Sequence, residues 1–568
     1  MKKWQTAPQA PNQYIEELRH EGVHPIVAQI LYNRGFDTSG SVLSFLGHYL
    51  PDDNPFRLKG MDDAIYRIRT AIRNREVVAV YGDFDCDGVT ATTVLTEALQ
   101  RVGADVRAYI PDRVDEGYGL NSPALKFLAD EGVRLVITVD CGIRSVKEVE
   151  DANSCGLDMI ITDHHSIGPQ LPPALAVINP KQAGDTYPEK GLAGVGIAYK
   201  MVQALFMEAQ RRGIRGIDEW RPEDWLDLVA VGTVADIVPL RGENRWLVQR
   251  GLRRLNRPQR PGLQALYSVA GIHPGSVTAT TIGFGIGPRI NAAGRLRSAM
   301  LAYRLLTAPD ITQGAQLAQE LNALNMERQK KTKTMQQHAE TTMPDDPARQ
   351  ALLFAASPQF EQGVVGLVAS RLTDRYYRPA VVVQVGEEES HGSCRSIPEF
   401  HITRALEMCD DLLERYGGHA AAAGFTVANT NIEPLRKRLT EIAEDSLHLD
   451  YLVPTLTVDV DLPLEEANMS LIDALARLEP VGEANTQPIF RTNGVQVIEC
   501  KRVGREGSHL KMRLSDGNGA WSDAIAFRQG KRADNLPEVI DVVYHLELNE
   551  WRGSRRLQLN IQDIKPAQ

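Results

Sequence analysis

The sequence has no Cys-x-x-Cys pair, no apolar run of membrane-spanning length, no internal repeat and no low-complexity tract. Its six cysteines, Cys86, Cys141, Cys155, Cys394, Cys409 and Cys500, are scattered, which argues against a zinc ribbon and against a disulfide framework. A reducing cytoplasm is the expected compartment. The opening Met1-Lys2-Lys3-Trp4-Gln5-Thr6 leads into a polar, proline-containing stretch without an apolar core segment, so neither secretion nor bilayer insertion is expected. An excess of basic residues is missing too. Lys and Arg number 63 against 73 Asp and Glu, a net charge of -10, so a nucleic-acid site has to be a local basic track and not a global field.

What is present is a chain of 568 residues, 43% hydrophobic and 24% charged, the composition of a soluble protein of about three or four domains. From Glu76 to about Pro180, β-branched runs (Val77–Tyr81, Val106–Ile110, Leu135–Val139, Met159–Ile161, Ala176–Ile178) alternate with amphipathic stretches of helical length. That rhythm predicts a parallel sheet covered by helices, with ligands beyond the carboxyl ends of its strands. A helical tract follows at Gly196–Arg211 and Trp225–Asn256, in which Asp236 interrupts an apolar stretch. The segment from about Ile311 to Thr342 is polar and nearly free of Gly and Pro, and predicts one long connecting helix. A second α/β unit begins near Ala351. From Pro454 the pattern changes to alternating segments separated by turns such as Asp516-Gly517-Asn518-Gly519 and Arg552-Gly553-Ser554, which predict a small antiparallel, OB-like barrel. The expected architecture is therefore α/β: two α/β lobes joined by a long helix, plus a C-terminal β-barrel. The expected divisions are an N-terminal segment 1–50, a first lobe 51–309, the helix 310–345, a second lobe 346–453 and the barrel 454–568.

Acidic and imidazole groups stand where the apolar runs stop: Asp83, Asp85 and Asp87 after Val77–Tyr81, Asp140 after Leu135–Val139, Asp163-His164-His165 after Met159–Ile161, and Asp236 after Val234-Ala235. Three carboxylates so close repel one another unless cations neutralise them. An EF-hand loop fails as an explanation because its twelfth position is Val94 where a bidentate Glu is needed. A haloacid-dehalogenase nucleophile loop, with Asp85 phosphorylated, leaves Asp83 and the paired histidines unused. An acidic surface turn is the default for any single Asp, and it weakens once four such sites end successive runs. Carboxylate and imidazole without thiolate suit Mn2+ or Mg2+.

This order of motifs resembles the DHH phosphoesterase superfamily, and three further segments resemble its family of RecJ-like single-strand-specific exonucleases: Gly287-Pro288-Arg289-Ile290-Asn291-Ala292-Ala293-Gly294-Arg295, Gly392-Ser393-Cys394-Arg395-Ser396 and Gly417-Gly418-His419. The similarity spans nearly the whole chain. It implies two divalent ions, with Asp85 and Asp87 each favouring a different one, Asp140 bridging them, and His164 with Asp236 completing the second site. Asp83, Asp163 and His165 would lie beside the ions or touch the scissile phosphate. Arg113, Arg289, Ser393 and Arg395 would surround a 5′ phosphate, for which guanidinium is suited, and His419 would contact the nucleotide, although Gly417-Gly418-His419 is also compatible with a turn at the start of a helix.

The implied activity is metal-dependent 5′-to-3′ hydrolysis of single-stranded DNA to mononucleotides in recombination and repair, by a monomer working with a single-strand-binding protein and a helicase. Lys501, Arg502, Arg505, Lys511 and Arg513, with Trp521, Phe527 and Trp551, offer the barrel a cationic and aromatic surface for single strands. Two other readings use the same residues: a phosphodiesterase for short oligonucleotides or cyclic dinucleotides, and a non-catalytic DNA-binding scaffold. The large C-terminal domain argues against the first, and the full set of metal-ligand types against the second.

Overall fold

Apolar runs become the parallel strands of a sheet whose central members are buried on both faces, with the partly exposed Asp105–Tyr109 at its edge. In the computed structural model, which describes residues 2–49, 52–113, 116–117, 119–214, 219–344, 346–551 and 554–567, they are Val77–Gly82, Asp105–Tyr109, Val133–Val139, Asp158–Thr162 and Ala176–Ile178. Their spatial order is Asp105–Tyr109, Val77–Gly82, Val133–Val139, Asp158–Thr162, Ala176–Ile178, every neighbouring pair parallel. The first strand in sequence thus lies between the second and the third. Strand order reverses between Val77–Gly82 and Val133–Val139, and at such a switch point the loops beyond the strand ends diverge and leave a crevice. Asp83–Asp85 and Asp140 stand in those two loops.

This sheet belongs to the larger of two compact units, Asp53–Val238 with Arg250–Leu452. The expected connecting helix is Ile311–Thr342 in the same unit. Asp310 caps it, its side chain accepting from Gln313 N at 2.9 Å. Gly314, Ala318, Leu321, Asn325, Thr332, Met335 and Ala339 are buried along one stripe with alternating spacings of four and three, and the position that this stripe skips is Arg328. The second lobe is a mixed sheet in the order Arg415–Gly418, Ala422–Ala428, Glu389–Arg395, Ala380–Gln384, Leu353–Ser357. The tract Trp225–Asn256 is not one helix. It ends at Ala235 and resumes at Gly242, because Ile237 adopts a left-handed φ of 60°.

The smaller unit comprises Met1–Asp52, Pro239–Gln249 and Val453–Gln568. Its strands Phe490–Val503, His509–Ser515, Trp521–Ala526, Ser554–Pro566 and Val539–Trp551 pair in that order, and the last also pairs with the first, which closes a five-stranded barrel. Asp516 Oδ1 accepts from the N–H groups of Asn518 and Ala520 in the turn after His509–Ser515. The other expected turn, Arg552-Gly553, lies outside the described residues, as does the Trp551 side chain. The N-terminal segment is not a separate module: Tyr14, Leu18, Ile30 and Leu31 share one core with Phe490, Leu510, Tyr544 and Leu559, and Lys3–Thr6 pairs in parallel with Thr455–Val458. Among the described residues no helix is long and apolar enough to cross a membrane.

Candidate metal centre and end cleft

Helix termini and strand ends fix the acidic side chains. Asp85 caps the helix Cys86–Arg101, its Oδ1 accepting from Gly88 N at 3.0 Å. Asp87, in the first turn, accepts from the N–H groups of Gly194 (2.6 Å) and Val195 (2.9 Å), which open the helix Gly194–Arg211. Gly194 has no alternative there, because a Cβ would stand 2.6 Å from Asp140 Cβ. Asp140 itself has a left-handed φ of 63°, and Asp236 ends the helix Leu226–Ala235.

These positions converge. Ligand atoms of Asp83, Asp85 and Asp140 lie within 4.8 Å of one another, and so do those of Asp87, His164 and Asp236, and those of Asp140, His164 and His165. Asp140 is common to the carboxylate group and to one imidazole group. His164 Nε2 is 3.1 Å from Asp140 Oδ1 and 3.5 Å from Asp236 Oδ2.

The cluster is electrostatically unbalanced. Burial, then Asp85, raises the Asp83 carboxyl well above its ordinary range, and burial with Asp87 and the other neighbouring carboxylates does the same to Asp140. Burial and Asp85 bring Asp87 to about 7, and burial with Asp87 brings Asp236 to about 9. Burial lowers His164 to about 3, so its ring is neutral and carries a lone pair. Asp83 Oδ1, Asp140 Oδ1 and His164 Nε2 are buried without a hydrogen-bond partner among the described residues. Buried lone pairs facing one another are costly unless a cation lies between them, and oxygen with imidazole nitrogen is the donor set of Mn2+ or Mg2+. The residues fit a divalent-metal centre. Cys86 is no competitor, since burial pushes its thiol pKa up.

Asp163 stands behind this group and is fully engaged. Its Oδ1 accepts from His165 N at 2.9 Å and lies 2.7 Å from His165 Nδ1, while Oδ2 accepts from Ile143 N at 2.9 Å. Burial opposes charge on His165, but Asp163 outweighs it and raises the imidazole above its ordinary value.

Arg113, Ser393 and Arg395 line one cleft of about 550 Å³ together with Phe84, Arg295, His391 and Arg415. Phe84 lies between Asp83 and Asp85, and the Arg113 guanidinium stacks 4.7 Å from its ring centre. Arg289 is not among the lining residues. Its Nε donates to Asn322 Oδ1 at 3.0 Å and a terminal nitrogen donates to Gly285 O at 2.6 Å. Arg295, six residues further along the same motif, lines the cleft instead; burial and the neighbouring Arg113, Arg328 and Arg395 lower it to about 9. His419 lines a second cleft of about 690 Å³ with Arg144, Asp163 and His165, and Gly424 lines both. Gly417-Gly418 is the end of a β-hairpin strand and not the start of a helix. Gly418 has φ 151°, and a Cβ there would stand 2.3 Å from Ala422 O.

Reasoning from sequence passed over three contributors. Asn291 Oδ1 accepts from Cys86 N at 2.8 Å, Lys181 Nζ donates to the His164 carbonyl, and Arg295 enters the cleft. Asn291 and Arg295 stand in the glycine-rich motif quoted above, where their spacing of four on a helix places them on one face. Nothing in the local sequence singles out Lys181.

Models of known families match three stretches: the DHH family, N-terminal domain, at residues 77–233, the DHHA1 domain at 349–445 and the RecJ OB domain at 458–563. The single-stranded-DNA-specific exonuclease RecJ of Bacillus subtilis is 39% identical over 563 residues, covering 98% of this chain and 70% of that protein. Its counterpart from Dickeya dadantii is 35% identical over 526 residues, 90% of this chain and 91% of that protein. The crystal structure of RecJ in complex with Mn2+ from Thermus thermophilus matches with a TM-score of 0.85 at 32% identity, over 100% of this chain and 80% of that one.

Proposed function

This chain belongs to the RecJ family of single-stranded-DNA-specific exonucleases, and from that premise we propose that it degrades single-stranded DNA from the 5′ end to 5′-mononucleotides with two divalent ions, Mn2+ or Mg2+. One juxtaposition carries the reading. A carboxylate cluster with unpartnered buried lone pairs adjoins, through Phe84, a cleft lined by four arginines and, among the described residues, no carboxylate.

Asp85 and Asp140 would hold one ion with Asp83 in reach of it, and Asp87, His164 and Asp236 would hold the other, with Asp140 shared between the two groups. Bound there, the pair supplies activation of water and neutralises charge on the leaving 3′ oxygen. Asp163 turns His165 by the contact at Nδ1 and favours its protonated form against burial, which suits the ring to donate to the scissile phosphate. Arg113, Ser393, Arg395 and Arg295 hold the 5′ phosphate by charge-assisted hydrogen bonds. Arg289, assigned to the same task from sequence, steadies the start of its helix against Asn322. Because the cleft begins at Phe84, between Asp83 and Asp85, a strand whose 5′ phosphate is held there presents its first phosphodiester to the acidic cluster. Mononucleotides follow. His419 contacts the strand in the adjoining cleft.

The work divides along the chain. Residues 51–309 carry the metals, 310–345 connect, 346–453 complete the clefts, and 454–568 hold the strand with the basic residues of the barrel and its exposed Trp521 and Phe527. Arg513 stacks 4.7 Å from the Trp521 ring centre. Duplex must be opened before the cleft can take an end, so a helicase and a single-strand-binding protein supply the substrate of this monomer. Six free cysteines fit a reducing cytoplasm, and recombination and repair are the processes served.

The test is digestion of single-stranded and duplex oligonucleotides labelled separately at each end, with and without chelator. A 5′ label should appear at once as mononucleotide, only from the single strand and only with metal. Release that starts at the 3′ end, or that survives chelation, would overturn the proposal.

A further inference from the structure

The end cleft carries more positive charge than a 5′ monophosphate can match. Arg113, Arg295, Arg395 and Arg415 line it with His391, and among the described residues no Asp or Glu does. The contacts three of the guanidiniums make inside the cleft are to neutral partners, and the carboxylates that Arg113 and Arg295 feel, Asp83 and Asp85, belong to the acidic cluster beyond Phe84. Arg295 donates to Gly363 O at 3.2 Å, Arg395 to Cys394 O at 2.8 Å, and Arg113 stacks on Phe84. A monophosphate end brings roughly -2 against four cations. The excess in a chain of net charge -10 points to a ligand with more anionic groups.

The sheet shows where those groups would lie. His391, Ser393 and Arg395 alternate along Glu389–Arg395 and share the face that lines the cleft, while the side chains of Ser390 and Cys394 are buried on the other. Arg395 is the end next to Arg113 and Arg295, whose charges it feels. In register, Ser393 pairs with Gly424 and His391 with Thr426, and Thr426 pairs in turn with Arg415. Arg415, Thr426 and His391 therefore form a second row of donors, two residues or about 6.8 Å beyond Ser393, a length that two phosphoanhydride links together with the non-bridging oxygens at either end bridge. Thr426 Oγ1 and His391 Nδ1 are 3.3 Å apart in that row. The strands between the rows carry Gly417 and Gly424, whose missing side chains leave the passage open. The first turn of the helix Gln362–Tyr376 lines the same cleft with Gln362 and Gly363, which adds the positive end of a helix.

We propose that the cleft accepts single strands whose 5′ end still carries a triphosphate, with the α-phosphate at Arg113, Arg295, Ser393 and Arg395 and the γ-phosphate at Arg415, Thr426 and His391. The enzyme would remove the first residue of such strands as a nucleoside triphosphate. Cleavage is the same hydrolysis as before. The bond between phosphorus and the 3′ oxygen of the first phosphodiester breaks, hydroxyl from water joins phosphorus, the remaining proton ends on the 3′ oxygen, and the anhydride bonds stay intact. The inference rests on the exonuclease reading above.

The experiment compares one single-stranded DNA sequence bearing a 5′ hydroxyl, monophosphate or triphosphate, by kcat/KM and by chromatography of the first product. The triphosphate strand should be cleaved at least as efficiently as the monophosphate strand, with deoxynucleoside triphosphate released first. Arg415→Ala should lower the ratio of triphosphate to monophosphate kcat/KM about tenfold, the worth of one charge-assisted contact, and Arg415→Lys should restore most of it. A triphosphate strand cleaved no faster than the hydroxyl strand, or a ratio that Arg415→Ala leaves unmoved, would overturn the assignment. If the monophosphate strand resisted as well, the exonuclease reading itself would have failed.

Discussion

Asp140 keeps a backbone conformation that residues with a Cβ rarely adopt, φ 63°, and such strain costs of order 1–3 kcal/mol unless the surroundings impose it. The surroundings here are the Asp140 N–H bond to Thr162 O at 3.1 Å and the close approach of Gly194. Asp140→Asn tolerates the same backbone but removes the charge that faces both metal groups. We expect turnover to fall about 10²–10³-fold while single-strand binding, followed by fluorescence anisotropy, persists; undiminished turnover would contradict the assignment of Asp140. Gly194→Ala tests the packing behind it, since the added carbon would sit 2.6 Å from Asp140 Cβ. The helix start must then move, at about 1–3 kcal/mol, and Mn2+ affinity measured by calorimetry should weaken; an unchanged affinity would show that the approach does not position Asp140. At this scale the sequence was legible where a ligand-type residue ends an apolar run, as at Asp83, Asp85, Asp140 and His164. Asn291 and Lys181 escaped because each acts on the backbone of a residue far away in sequence, and no local pattern marks such a partner.

Two helices that bear residues of the acidic cluster are fastened to each other at the ends remote from it. Arg260, just before the helix Pro261–Ala270, donates to Glu97 Oε1 and Oε2 at 2.8 and 2.9 Å and to Asp227 Oδ2 at 3.1 Å. Glu97 is on the helix that bears Asp87, and Asp227 on the helix that ends at Asp236. Trp225 Nε1 also donates to Glu97, at 2.8 Å. Arg260→Met leaves the buried Asp227 and the half-buried Glu97 without their cation, which costs about 3–5 kcal/mol, whereas adding Glu97→Gln and Asp227→Asn should recover most of that loss. Urea unfolding of the single and triple variants decides the matter; a triple variant as unstable as Arg260→Met would mean that packing, not charge, holds the helices. The parallel strands and the helix Ile311–Thr342 were legible because their periodicity is long and unbroken. The break after Asp236 and the hairpin at Gly417-Gly418 were not, since a single left-handed residue or a glycine pair suits several local structures equally well.

Without cations the whole molecule should respond to pH through its metal centre. Asp87 and Asp236 hold protons in the folded chain up to about 7 and about 9, against an ordinary value of 3.8. Folded-state values raised in this way give stability that is fully present below about pH 4 and lost as pH rises through 7 and 9. Chelated protein should therefore melt at a lower temperature at about pH 9 than at about pH 5, with Mn2+ restoring more at the higher pH; a melting temperature that rises with pH under chelation would refute this. Removing residues 454–568 while keeping 1–52 should give aggregated protein on size-exclusion chromatography, because Tyr14, Leu18, Ile30 and Leu31 lose the barrel side chains they pack against, about 1.5–3 kcal/mol for each buried side chain. A monodisperse product would show that the N-terminal helices have a sufficient core of their own. By itself the sequence determined the elements and the kind of chemistry, since hydrophobic period and ligand type are local properties written residue by residue. Only the tertiary structure decided that the N-terminal helices pack on the barrel, that Arg295 and not Arg289 enters the cleft, and that one hairpin row continues it to Arg415. These depend on which buried surfaces find each other and on the direction each helix turns its face, and both are settled by packing across the chain.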